Sequence, residues 1–165
     1  MALWAAVILV VAFDQTPSQA PRVQLADSSS LHRVKSAVIG AKTRLDRPEC
    51  QRLLTDFQDI EGRPLLENLG TSSLTASDYL FERIWFVDAG DTPQCLRDQT
   101  MAAFTVAGHK VVRICTNRFA SRFERQTAAA EIIVIHEMLH TLGLGENPPT
   151  SNQITQQVTR RCGGS

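Results

Sequence analysis

Apolar residues along the chain recur with two different periods, and the places where the period changes divide it into elements. Between Asp46 and Ile60, the residues Cys50, Leu53, Leu54 and Phe57 stand at i, i+3, i+4 and i+7. That spacing predicts one buried face of a helix. Asp46 can cap this helix, Pro48 suits a first turn, and Gly62 ends it. A shorter helix is expected from Pro64 to Leu69, stopped by Gly70. Thr75-x-x-Asp78 has the form of a capping box and opens another helix through Leu80. The pattern then changes. Arg83-Ile-Trp-Phe-Val-Asp88 is β-branched and aromatic and reads as a strand. Met101 to Val106 and Lys110 to Cys115 flank Ala107-Gly-His109 as the two arms of a hairpin.

The stretch from about Thr127 to Leu142 is of another kind. Its core, Glu131-Ile-Ile-Val-Ile135, is apolar nearly all round, so this helix is central rather than superficial. Pro148-Pro149 forbids helix after it. Ile154, Val158 and Cys162 then mark one stripe of a final helix from Ser151 to Cys162. Three stretches are less decided. Pro21 to Ser30 is polar and Ser-rich and reads as a loose arm; Leu31 to Ala41 fits either strand or helix; Asn117 to Gln126 is a polar, Arg-rich connection, helical in part. Together the elements predict one α+β domain over residues 21–165. A small mixed or antiparallel sheet packs on the central helix, and a C-terminal helix follows.

Composition narrows the class. The chain has 165 residues, 43% apolar and 21% charged, enough for one domain with a core. Formal net charge is zero, which removes the electrostatic case for nucleic acid or an anionic membrane surface. The apolar run Ala2 to Phe13 falls short of the ~20 residues of a spanning helix. It suits a signal peptide over residues 1–20, with small residues at Ser18 and Ala20 for cleavage; a short amphiphilic strand is the other reading. The expected setting is secreted or periplasmic, with no membrane span in the mature chain. Cys50, Cys95, Cys115 and Cys162 include no C-x-x-C pair, and an even count behind an export signal predicts two disulfides. Cys95 and Cys115 flank the hairpin and are the favoured pair; Cys50 with Cys162 follows by elimination. Four free buried thiols are the alternative.

The chemistry concentrates in the central helix. His136 and His140 stand four apart on one helix face, where one metal ion can take both imidazoles. Glu137 leans over the same place. Only four histidines occur in the chain, and two fall here. A buried helix has little reason to carry such polar groups unless something satisfies them, and metal binding does so.

The run His136-Glu-Met-Leu-His-Thr-Leu-Gly-Leu-Gly-Glu146 resembles the zincin metallopeptidase signature H-E-x-x-H. It is also similar to the extended metzincin form H-E-x-x-H-x-x-G-x-x-H/D, with Glu in the last place. No Met follows Met138 and Tyr79 is the sole tyrosine, so the methionine turn of metzincins has no counterpart. The resemblance implies a small zincin-like domain holding Zn2+ and hydrolysing peptide bonds in a protein or peptide substrate, as a monomer. It implies a zinc-activated water with Glu137 as general base. Catalytic zinc takes three protein ligands, so His136 and His140 need a partner. Past Glu146 no His, Asp or Glu follows, and Gly143 permits the sharp turn that would bring Glu146 back. His109 at the hairpin tip and His32 in the arm are its rivals. A non-catalytic zinc-binding or interaction domain is the second reading, and hydrolysis of a non-peptide bond the third.

Overall fold

A computed structural model describes residues 20–164. The expected signal peptide lies, but for Ala20, outside the described residues. The described chain enters through strand β1 (Arg22–Gln24) and helix α1 (Ser28–Leu45). The loose arm expected from Pro21 to Ser30 is therefore ordered structure, and Leu31 to Ala41 is helix. Two causes explain it. The Asp27 carboxylate accepts the Ser30 backbone N–H at 2.7 Å and caps α1. Val34, Ala37, Val38, Ala41 and Leu45 form a stripe with at most 1% exposure. Ile39, by contrast, is 52% exposed, and two of the five stripe residues are alanines.

Four short helices follow: α2 (Pro48–Gln51), α3 (Leu53–Asp56), α4 (Leu65–Gly70) and α5 (Ala76–Arg83). The continuous helix expected from Asp46 to Ile60 is broken at Arg52 and finished by Phe57, whose backbone is extended. Asp46 closes the C-terminal end of α1 instead of opening α2, which starts after Arg47. Beyond Phe57 the chain is held by Asp59 instead. Its buried carboxylate accepts the backbone N–H groups of Glu61 and Arg63, each at 2.9 Å. Side-chain capture of nearby backbone donors competes directly with helix. Cys50, Leu53 and Leu54 reach the core regardless. At the start of α5, Thr75 accepts the Asp78 N–H at 3.1 Å, as the capping pattern predicts.

Strand β2 (Trp85–Asp88) leads to α6 (Pro93–Arg97), then to β3 (Ala103–Phe104) and β4 (Val111–Ile114). Helix α6 was not foreseen, although Thr92 caps it and Pro93 occupies its first turn. The sheet order is β1-β2-β4-β3. β1 and β4 both run parallel to β2, and β3 runs antiparallel to β4, so the sheet is mixed and the hairpin is present. β1 and β3 are its edges.

Helices α7 (Thr116–Arg125), α8 (Thr127–Thr141) and α9 (Ser151–Cys162) complete the described chain. The Arg-rich connection expected from Asn117 to Gln126 is thus helical nearly throughout. α8 packs against α1, α7, α9, β3 and β4, and is buried without interruption from Val134 to Thr141. The central position read from its apolar flank is the observed one. At Gly40 a Cβ would collide with the Glu131 side chain, so glycine there lets α1 lie close to α8. No helix among the described residues is long and apolar enough to cross a membrane.

The cysteines pair as Cys50–Cys162 and Cys95–Cys115. Two disulfides are compatible with an extracellular location. The first bond ties α2 to the end of α9. Arg44 donates to the Cys162 carbonyl at 2.6 Å, and Arg47 reaches the carbonyls of Cys162 and Gly164, so the last turn of α9 meets guanidinium as well as sulfur. The bonds span 112 and 20 residues. Loop-closure entropy then gives about 5 kcal/mol for the longer and about 3 kcal/mol for the shorter. The Cys50→Ala/Cys162→Ala pair should therefore lower the melting temperature more than Cys95→Ala/Cys115→Ala. Thermal unfolding followed by circular dichroism, with both double variants oxidised, checks the order.

Candidate metal centre

The site grows from the way α8 ends. A helix leaves its last four carbonyls without helical partners, and here the end is buried. Each of the four is answered. The Met138 carbonyl takes the Leu142 N–H, and the Leu139 carbonyl takes the Leu144 N–H at 3.2 Å. The His140 carbonyl takes the N–H of Gly143 at 2.9 Å and of Gly108 at 2.8 Å. The Thr141 carbonyl takes Lys110 Nζ at 2.7 Å and the Tyr79 hydroxyl at 3.2 Å. The bonds from Leu144 to Leu139 and from Gly143 to His140 make a Schellman turn, with Leu139 and Leu144 both buried as its apolar contact. Gly143 stands at φ 106°, a left-handed conformation that other residues resist.

That turn returns the chain toward the histidines. The two Nε2 atoms of His136 and His140 lie 3.0 Å apart. Glu146 Oε1 lies 3.7 Å from the first and 3.4 Å from the second. These three residues form a group that could hold a metal ion. His109 and His32 are exposed and stand outside it. The Gly143 turn brings Glu146 to the two histidines, and neither rival histidine joins the group.

The ring orientations are fixed from behind. His140 Nδ1 lies 2.7 Å from the Leu144 carbonyl. A carbonyl only accepts, so Nδ1 carries the proton and Nε2 of the neutral ring presents a lone pair. His136 Nδ1 lies 2.9 Å from Thr155 Oγ1 on α9. Burial, with the neighbouring His140 as the lesser cause, holds the His136 imidazole down to about 3, so it is neutral at ordinary pH. With the two Nε2 atoms in contact, the gap between them needs either a shared proton or a cation. A cation also draws in Glu146, whose carboxylate already faces both rings.

Glu137 is the partner beside this group. It is buried, and Oε2 is the one buried side-chain polar atom among the described residues with no hydrogen-bond partner. Burial first, and the charge of Glu146 second, push its carboxyl up to about 8. A buried orphan oxygen calls for a partner from outside the protein. Both it and the histidines line a cleft of about 870 Å³, which also runs past Ala102 to Thr105 and past Thr150 to Asn152.

Sequence reasoning missed the supports. Thr155 is adjacent to the buried stripe of α9 and carries no motif. Asn68 Nδ2 donates to the Leu142 carbonyl at 2.9 Å and to Asp59 Oδ2 at 2.8 Å, while Ile60 donates to the Gly143 carbonyl at 3.1 Å. The Asp59 loop therefore braces the turn from below. The capping appetite of Asp59 was the available signal, and it was hidden inside an apparent helix. No family model, no curated protein and no solved structure matches the chain.

Two outcomes follow. A Cβ at position 143 would lie 3.0 Å from Asp59 Cβ and would have to tolerate positive φ, so Gly143→Ala should cost about 1–3 kcal/mol. Metal affinity should fall with it, read by titration with a chromophoric chelator. Asp59 is held well below the ordinary carboxylate range by Asn68 first, and also by the backbone N–H groups and guanidinium of its own loop. Its folded value is depressed, so its stabilisation is present above the unfolded value of about 4 and is lost as pH falls below it. The gap in melting temperature between wild type and Asp59→Asn should be full at pH 7 and shrink steadily below pH 4. An unchanged gap at pH 3 would contradict this account.

Proposed function

We propose that the chain is a zinc-dependent peptidase of zincin type, acting on protein or peptide substrates outside the cytoplasm. The observation that carries the proposal is the meeting of His136, His140 and Glu146 beside the orphan carboxyl of Glu137 in an open cleft. Zinc bound to nitrogen at about 2.0–2.1 Å in tetrahedral geometry sets its donors about 3.3 Å apart. The spacings of 3.0, 3.4 and 3.7 Å lie around that value. Two imidazoles and one carboxylate leave the fourth position open, as a catalytic rather than a structural zinc requires.

His136, His140 and Glu146 would hold the ion. Bound there, zinc supplies Lewis acidity toward a carbonyl and an acidified water. Glu137 then has the work of a proton carrier. Its carboxylate takes the proton from the attacking water and delivers it to the leaving amine. Its partnerless Oε2 has no hydrogen bond to surrender before it takes the proton.

Substrate placement follows from the sheet. β3 is an edge strand, and its residues line the cleft together with the histidines. An extended peptide can join such an edge through main-chain hydrogen bonds, with its scissile bond laid against the metal group. That mode suits unfolded or extended segments and favours cleavage within a chain.

The protein should bind one zinc per chain, and a chelator should abolish its cleavage of unfolded protein substrates. Glu137→Ala should keep the zinc and lose about 10²–10⁴-fold in rate, the usual worth of a general base. Glu146→Ala should weaken zinc binding. Metal analysis and a chelator-controlled cleavage assay read all three. Zinc binding with no cleavage by wild type would replace the peptidase reading with that of a non-catalytic zinc-binding domain.

A further inference from the structure

At one end of the cleft the lining changes character. A recess of about 190 Å³ opens there, bounded by Gln99, Thr100, Arg118, Ser121, Arg122 and Arg125. Thr100 and Arg122 belong to both the recess and the main cleft, so the two are continuous. Three arginines and no carboxylate bound this space. In a chain of zero formal net charge, that is a local excess of one sign.

The compensation available to these arginines is unequal. Arg118 spends its donors on neutral oxygens, the Met101 carbonyl at 2.8 Å and Gln99 Oε1 at 3.2 Å. It also lies in the field of Asp98, which lines the main cleft. Asp98 is occupied by its own turn: it accepts the backbone N–H groups of Thr100 and Met101 and the Thr100 hydroxyl. Among the described residues Arg125 reaches only the Ser121 hydroxyl. The Arg122 guanidinium has no ion-pair or hydrogen-bond partner among the described residues. Glu124, the acidic neighbour on the same helix, is turned away into an ion pair with Arg33 at 2.6 Å. A planar five-donor cation left free on the wall of a cleft matches a carboxylate in both charge and shape.

We infer that this recess is a carboxylate subsite, and that the cleft takes peptides carrying a free C-terminal carboxylate or an acidic side chain on the part of the chain that lies beside Arg122. The inference rests on the peptidase reading of the same cleft and names its substrate class. It also gives the bound chain a direction. Gln99 and Thr100 precede β3, so the recess stands at the N-terminal end of that strand. A peptide added antiparallel to β3 brings its C-terminal portion there. A parallel peptide would bring its amino terminus, an ammonium group facing three arginines. Charge therefore selects the antiparallel mode, and the carboxylate lies on the C-terminal side of the bond to be cut.

Binding tests this without relying on turnover. Zinc-loaded Glu137→Gln protein is titrated by calorimetry with three peptides of one sequence: a free C-terminus, a C-terminal amide, and an amide with one internal Glu in the C-terminal half. One or both carboxylate peptides should bind about tenfold tighter than the plain amide. The pair that gains identifies whether terminus or side chain is the source. The preference should fall toward one in Glu137→Gln/Arg122→Gln, and should weaken in 1 M salt, where the screening length is about 3 Å. Equal affinity for all three peptides overturns the inference, as does a preference that survives Arg122→Gln, or no binding of any peptide. If the preference is present but wild-type protein cleaves none of the three, the subsite stands and the peptidase reading fails.

Discussion

A buried helix end must have its carbonyls satisfied, and that requirement shapes everything around the metal group. α8 finishes in the interior, where an unmatched carbonyl would cost about 1–3 kcal/mol. The protein answers with groups from three distant parts of the chain. Asn68 comes from α4, Tyr79 from α5, and Gly108 and Lys110 from the β3–β4 hairpin, while the Schellman turn supplies the rest. The same accounting places Glu146. A chain that reverses at Gly143 to satisfy Leu139 and His140 carries its next acidic side chain back over the imidazoles. The meeting of these three side chains is thus a by-product of hydrogen-bond satisfaction at one helix terminus.

The electrostatics of the site depend on the same burial. His136 and Glu137 are pushed in opposite directions in pKa, and both shifts favour the neutral form. A neutral His136 imidazole and a buried Glu137 carboxyl that resists ionisation stand beside His140 and the half-exposed Glu146, a group that could hold a metal ion. Stability and chemistry pull apart here. Glu137 carries an unsatisfied oxygen in the interior, a cost that the packing of Val134, Ile135, Met138 and Leu139 around it must offset.

Some of this was legible in the sequence, and the dividing line is physical. His136, Glu137 and His140 are displayed by helical spacing alone, and the central place of α8 by its apolar flank. Glu146 could be reached by exclusion, and the disulfides by a hairpin and an even count. What escaped were features whose signal is spread thinly or points two ways. The buried stripe of α1 is interrupted by two alanines, Ala37 and Ala41, which weigh little in any apolar pattern, while Ile39 is exposed. The stripe from Cys50 to Phe57 has perfect helical period, yet the helix breaks at Arg52 inside it, and Asp59 holds the backbone of the loop beyond it. Thr155 and Asn68 act through single hydrogen bonds across 19 and 74 residues of chain. No local pattern encodes such a pairing.

The bond between Cys50 and Cys162 also sets an order of events. Cys50 is made 112 residues before its partner, and α9, which that bond fastens, is made after His136, His140 and Glu146. Thr155 lies on α9, so the His136 ring receives its support only when that helix docks. During synthesis the histidines therefore exist for some time before they are aimed. Closure of the longer disulfide and support of the His136 ring both wait for the same last helix.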